Sequence, residues 1–250
     1  MELSFLSLIS YQPKSSRSRG QQRRFPGTAP SSVSGTTYSI ENKALNTPGG
    51  QRLQEELGNR ALLYALENAR AFIVEAFSLD KSRRVDHITV FVEDVDGVAF
   101  TRGSDIHLSA RYIAQFSPRN WYVWKREITG IMYHEMTHVF QNTDRDNLHD
   151  VYLRGVVEGI ADFIRLRAGY ESWKRQRGGK WYDGYTTTAF FFDWIDKTQI
   201  RSFVNRLNHK MGQTSSWTND FFLQITKRDV ETLWQEYQRS LPKAELYATS

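Results

Sequence analysis

The sequence predicts an α+β fold, in which a small mixed or antiparallel sheet packs on two helices and the C-terminal part is helical. Residues 85–92 are rich in β-branched side chains, and two shorter strand-like runs at 98–101 and 105–109 follow, joined by a glycine-containing turn. Apolar residues recur at helical spacing on both sides of this region, at 51–77 and from 121 onward.

Length and composition suit one well-filled domain of a 250-residue chain, with an extension. We expect residues 1–35 to be a basic Ser/Arg-rich extension, either disordered or targeting, and residues 36–245 to form the domain. Five of the basic residues lie in this extension against the single acid Glu2, so much of the net charge of +5 lies outside the domain and does not indicate a nucleic-acid partner.

Two further observations exclude whole classes of function. The sequence contains no cysteine, so thiol ligands and thiol nucleophiles are excluded. It also lacks the run of roughly 18 apolar residues that predicts a membrane-spanning helix.

The first elements of the domain are a short strand at 38–40 and one long helix over 51–77. The spacing of Leu62, Leu66, Ala69 and Ile73 gives this helix an apolar stripe, which we interpret as core. A charged turn at 80–84 leads to the strands.

Residues 134–138 read H-E-M-T-H, and they lie in a predicted helix over 121–141 that no proline interrupts. On a helix, His134 and His138 share one face, so both imidazoles can reach one metal ion. Glu135 can then accept a proton from a water molecule that attacks a carbonyl. The alternative is an amphipathic helix whose two histidines are surface or core groups.

A second helix, predicted at 153–168 and ended by Gly169, contains Glu158 and Asp162 on one face. Both carboxylates are surrounded by apolar residues, and carboxylates in such a setting need a partner. We therefore interpret Glu158 as the third metal ligand and Asp162 as the group that accepts the free ring N–H of a ligand histidine. Two imidazoles and one carboxylate favour Zn²⁺. The alternative is a solvated helix face.

Several blocks of sequence resemble the basic secretory protein family of plants, and the combination of H-E-x-x-H with E-x-x-x-D resembles the gluzincin clan of zinc peptidases. The resemblance runs from about Tyr38 to Tyr237. The blocks that carry it are HEMTHV at 134–139, EGIADFIRLRAGY at 158–170, DGVAFT at 96–101 and IHLSARYI at 106–113.

This resemblance implies a zincin-like fold and a zinc-dependent endopeptidase-like activity linked to plant defence. Carried over residue by residue, it implies His134, His138 and Glu158 as zinc ligands and Glu135 as the general base. It also implies a secreted protein that acts on peptides or proteins, and we expect this protein to be a monomer. The Arg/Ser-rich N-terminus suggests import into a plastid or another organelle as the alternative location.

The connector at 142–150 departs from the family, because it is longer and more polar than the usual Gly/Pro-rich link. It introduces His149 as a rival ligand. A peptidase also needs a hydrogen-bond donor for the oxyanion, and our first candidate is Tyr185, near the Gly-Tyr block of the family, followed by Tyr182 and His149. In peptidases of this clan an edge strand pairs with extended substrate, and we expect residues 97–110 to do so.

Three more helices are predicted at 185–196, 200–211 and 217–225, and the sequence TKRD at 226–229 predicts a capping box that opens a last one. Two other classes of function stay open. One is a defence or binding protein that keeps the zinc site and the fold without turnover, although a purely structural site would not need Glu135. The other is a metal-dependent hydrolase of a non-peptide amide.

Overall fold

The computed structural model describes residues 35–79, 84–116, 120–143, 147–171, 174–175, 177–214 and 216–242. These residues form an α+β fold with a four-stranded sheet and nine helices, so the predicted fold class is confirmed. Nearly all of the predicted extension, most of the predicted turn at 80–84 and the end of the predicted domain lie outside the described residues.

The sheet is mixed, which is one of the two forms that the sequence predicts. It consists of β1 (Thr37–Asn42), β2 (His87–Glu93), β3 (Ala99–Arg102) and β4 (Asp105–Ser109), in the order β1-β2-β4-β3. Strands β1, β2 and β4 run parallel, and β3 pairs antiparallel with β4 at one edge. Alternate residues of the two central strands face the interior and are fully buried: Ile88, Val90, Val92, Ile106 and Leu108.

The prediction of one long helix over 51–77 is wrong, because two helices occupy this segment. Helix α1 (Pro48–Glu56) is capped by Thr47, whose side chain accepts a hydrogen bond from the Gly50 N–H. Helix α2 (Gly58–Ala76) follows after one residue. Gly58 has a φ of +71°, a left-handed conformation that glycine adopts without strain and that interrupts the helical backbone.

Helix α3 (Ala110–Gln115), which the sequence did not predict, is capped by Ser109 at the end of β4. The two predicted ligand helices are confirmed as α4 (Trp121–Phe140) and α5 (Val151–Arg167). Asn120 caps α4, and Asp150 caps α5 by accepting from two backbone N–H groups. Gly169, with a φ of +83°, follows the end of α5, as its position predicts.

The C-terminal part is helical, as predicted, with α6 (Tyr185–Thr198), α7 (Phe203–Gly212), α8 (Asp220–Thr226) and α9 (Val230–Ser240). The predicted capping box is wrong. Thr226 ends α8, where its hydroxyl donates to the Phe222 carbonyl, and Lys227 turns the chain with a φ of +63°. Asp229 caps α9 by accepting from the Thr232 N–H. Among the described helices, none is long and apolar enough to cross a membrane.

Candidate metal centre

Helices α4 and α5 bring three nitrogen and oxygen donors together. His134 Nε2 lies 3.1 Å from His138 Nε2 and 3.2 Å from Glu158 Oε2. The remaining distance, from His138 Nε2 to Glu158 Oε2, is 3.7 Å. These three side chains could hold a metal ion, since their donor atoms all lie within 4.8 Å of one another.

The close packing of α5 against the segment that contains α6 depends on two glycines. A Cβ at Gly155 would lie 2.0 Å from the Tyr182 carbonyl oxygen, and a Cβ at Gly159 would lie 2.3 Å from Thr188 Cγ2. Both positions therefore exclude a side chain. The result is that the start of α6, with Tyr185, lies beside Glu158 and His134.

Asp162 contacts the second nitrogen of the His134 ring, Nδ1. Its Oδ1 lies 2.6 Å from His134 Nδ1, and Thr186 Oγ1 donates to its Oδ2 at 3.4 Å. Burial lowers the pKa of His134, but Asp162 and Glu158 outweigh it and hold that pKa well above its ordinary value. Burial likewise raises the pKa of Glu158, but His138 and His134 hold that pKa well below its usual range. The site therefore carries an ionised carboxylate next to its imidazoles.

His138 has a partner that sequence reasoning missed. The side-chain amide nitrogen of Gln141, Nε2, lies 2.9 Å from His138 Nδ1, at the end of α4 and one turn beyond the histidine. In this orientation the amide donates to an unprotonated Nδ1, and the same amide turned by 180° would present its oxygen to a protonated Nδ1. Residues three apart on a helix are neighbours, and that spacing was the available signal for Gln141.

Glu135 is 4% exposed, and its carboxylate accepts a hydrogen bond from a residue of the sheet. The hydroxyl of Thr101, in β3, lies 2.8 Å from Glu135 Oε2 and 3.1 Å from the Glu135 backbone oxygen. The two residues are 34 positions apart, and no local pattern in the sequence indicates their contact.

Tyr185 lies against the candidate ligand His134, with the two rings stacked at a centroid distance of 6.0 Å. Its side chain is half exposed, and its backbone takes a φ of +43°, which is uncommon for a residue with a side chain. Burial, with Glu158 and Asp162 nearby, raises the pKa of Tyr185. A tyrosine phenol is protonated at neutral pH, so this one can donate a hydrogen bond.

The other residues considered for the site have different surroundings. The ring of Tyr182 packs on Tyr152 and Trp181. His149 is exposed and is not among the three grouped donors that the described part of the chain provides. The connector before it is described only in part, since residues 144–146 lie outside the described ranges.

Comparison with known proteins identifies the family. The model of the family BSP, described as "Peptidase of plants and bacteria", matches residues 33–237, which include α4, α5 and all four strands. No curated protein and no solved structure gives a significant match. The resemblance to the basic secretory protein family is thus confirmed, and the family's description implies peptide or protein substrates. The chain belongs to the BSP family of peptidases of plants and bacteria.

Proposed function

We propose that this chain is a zinc-dependent endopeptidase in which His134, His138 and Glu158 hold the metal and Glu135 is the general base. The observation that carries the proposal is the convergence of three donor atoms on one point, with Glu135 adjacent in sequence to a ligand. Two histidines and a glutamate, with one position left for water, are a common donor set of catalytic zinc sites.

The spacing of the donors fits zinc. A tetrahedral zinc ion with ligand bonds of about 2.0–2.1 Å keeps its ligand atoms about 3.3–3.4 Å apart. The three distances between the donors are 3.1, 3.2 and 3.7 Å, which bracket that value. The carboxylate of Asp162 on His134 Nδ1 supports the fit, because it leaves Nε2 as the nitrogen for the metal.

Zinc would supply the polarisation of the scissile carbonyl and the lowered pKa of the attacking water. The protein groups supply proton transfer and positioning. Glu135 accepts a proton from the water and passes it to the leaving amine. Tyr185 donates from its phenol, which like any tyrosine phenol is protonated at neutral pH, to the developing oxyanion.

Substrate binding is assigned to the edge strand within the predicted segment 97–110. Strand β3 lies at the edge of the sheet and packs against α4, the helix that contains Glu135. An extended peptide can add to such an edge through main-chain hydrogen bonds, which give affinity with little sequence preference. An edge strand next to the catalytic helix also supports the zincin-like arrangement.

Secretion and a role in defence belong to the proposal as well. They follow from the family resemblance, with import into a plastid as the alternative. Fractionation of cells that express the full chain with a C-terminal tag distinguishes the two, since the tag is recovered from the medium or from the organelle.

The decisive experiment compares the full chain with Glu135→Gln and with Glu55→Gln, an exposed carboxylate on α1 as a matched control. We expect about one zinc per chain in all three proteins, because none of these changes removes a ligand. Casein and a broad peptide library are then cleaved by the parent and by Glu55→Gln, and not by Glu135→Gln.

Two results would contradict the proposal in different ways. Zinc in every protein with no cleavage by the parent would indicate a binding or defence protein, or a hydrolase of non-peptide amides, which a screen of such amides detects. An absence of zinc in the parent would overturn the ligand assignment.

A further inference from the structure

Thr101 points from the edge strand toward the catalytic helix. It pairs with Ile106 of β4, and directly opposed residues in an antiparallel pair share a face of the sheet. Ile106 is fully buried, so this face is the interior one. The neighbouring Phe100 faces the other way, where its ring stacks on His107 at 4.5 Å. The only residue of β3 that faces α4 with a hydroxyl is therefore Thr101.

The hydroxyl of Thr101 has one proton and two acceptors within reach, both belonging to Glu135. Oε2 lies at 2.8 Å and the backbone oxygen at 3.1 Å. The shorter contact, with a side-chain carboxyl oxygen, is the stronger one. The backbone oxygen also lies in α4, so both acceptors tie β3 to the same residue of the helix.

The two carboxylate oxygens of Glu135 are not equivalent. Oε2 accepts from Thr101, whereas Oε1 accepts no hydrogen bond from the part of the chain that the structure describes. A general base needs one oxygen that is free to take a proton. The contact with Thr101 thus occupies one oxygen and leaves the other for water.

We infer that Thr101 is a positioning residue for the base: its hydroxyl fixes the carboxylate of Glu135 so that Oε1 accepts the proton. This inference rests on the proposed peptidase function. A glutamate side chain has three rotatable bonds, and a displacement of about 1 Å at a reacting group can cost about 100-fold in rate.

The test uses the full chain loaded with zinc and four variants. Thr101→Val and Thr101→Ala delete the hydroxyl, and Thr101→Ser keeps it. Thr89→Val makes the same change at a buried threonine of β2, which interacts with Ser39 and not with Glu135. For each protein, zinc content, thermal midpoint, kcat and KM for one peptide are measured.

We expect kcat of Thr101→Val and Thr101→Ala to fall about tenfold, the factor that one hydrogen bond to a charged group supplies. KM and zinc content stay unchanged, because neither the substrate contacts nor the ligands are altered. Thr101→Ser recovers most of kcat, and Thr89→Val retains all of it. A loss of stability would not be expected to lower kcat at an unchanged KM and to be rescued by serine.

The outcomes that would contradict this inference can be told apart from those that would contradict the proposed function. A kcat for Thr101→Val equal to that of the parent overturns this inference and leaves the peptidase function standing. A failure of both deletion variants to fold, or an equal loss in Thr89→Val, shows a structural role and overturns it too. A zinc-loaded parent that cleaves nothing overturns the proposed function and this inference with it.

Discussion

Asp162 Oδ1 lies 2.6 Å from His134 Nδ1, so a carboxylate of α5 fixes the orientation of a candidate metal ligand on α4. The two helices share the site: α4 provides two histidines, and α5 provides Glu158 together with the carboxylate that contacts His134 Nδ1. A carboxylate in this position sets the tautomer of the ring and raises its basicity toward a metal.

Replacing Asp162 by alanine is expected to weaken zinc binding about 10- to 100-fold, because the ring of His134 loses its acceptor. Asp162→Asn keeps an acceptor oxygen and loses less. Competition with a chromophoric chelator measures both affinities. The matched control is Asp86→Ala, an exposed carboxylate before β2. Zinc binding by Asp162→Ala as tight as that of the parent would refute the role of this contact.

Removal of zinc is expected to lower the thermal midpoint of the parent protein. A ligand present at about 100 times its Kd stabilises the folded state by about 2.7 kcal/mol. In a chain of this size that corresponds to a shift of about 5–10 °C. Glu158→Gln removes the charged ligand, so a chelator should lower its thermal midpoint much less than it lowers that of the parent. The exposed control Glu41→Gln should show the same fall as the parent. Equal shifts in the parent and in Glu158→Gln would show that zinc binds elsewhere.

Gly155 is expected to tolerate no side chain. A Cβ there would lie 2.0 Å from the Tyr182 carbonyl oxygen, so α5 and the segment before Tyr185 would have to separate. Gly155→Ala should lower the free energy of unfolding by about 1–3 kcal/mol, as overpacking does. Gly97→Ala, where a Cβ meets no atom within 4 Å and only the positive φ is strained, should cost about 1 kcal/mol. Urea denaturation compares them, and an unchanged stability of Gly155→Ala would contradict the packing.

The contact between Glu93 and His107, on the outer face of the sheet, is expected to make the stability of the protein depend on pH. Glu93 Oε2 lies 2.7 Å from His107 Nδ1, and the His107 ring stacks between Phe91 and Phe100. The hydrogen bond to His107 lowers the pKa of Glu93 below its ordinary value of 4.5, against a smaller opposing effect of burial and with help from Lys43. A lowered folded-state pKa stabilises the protein above the unfolded-state pKa, and this contribution is lost as the pH falls through the folded-state value.

Glu93→Gln should therefore be less stable than the parent at neutral pH, and the difference should shrink as the pH falls below about 4.5. Urea denaturation across this range measures it. The control Glu41→Gln, on the exposed side of β1, should show a smaller difference at every pH. A difference between Glu93→Gln and the parent that persists unchanged at acid pH would contradict the assignment.

The proposed ligands could be predicted from the sequence because their signal is local. His134 and His138 are one helical turn apart, as are Glu158 and Asp162, and the apolar residues around them indicate the two helices. The sequence did not show that the histidine face of one helix packs against the carboxylate face of the other. In the folded chain these two faces meet, with His134 between Glu158 and Asp162.

Other features depend on contacts that no local pattern contains. The hydrogen bond between Thr101 and Glu135 joins an edge strand to a helix 34 residues later. The break at Gly58 was missed because the apolar periodicity continues from α1 into α2, although the backbone reverses its φ there. At Asp229 the cap was misplaced by three residues, since Thr226 and Asp229 are both good capping residues and only the turn at Lys227 decides between them.

The most direct test of the proposed metal centre is anomalous diffraction at the zinc absorption edge, from crystals of the full chain grown with zinc. The ligand set predicts one strong peak bounded by the Nε2 atoms of His134 and His138 and the carboxylate of Glu158, and its loss in Glu158→Gln crystals or a marked fall in its occupancy. A peak at His149 instead, or no peak at these three side chains, would contradict the assignment of the site.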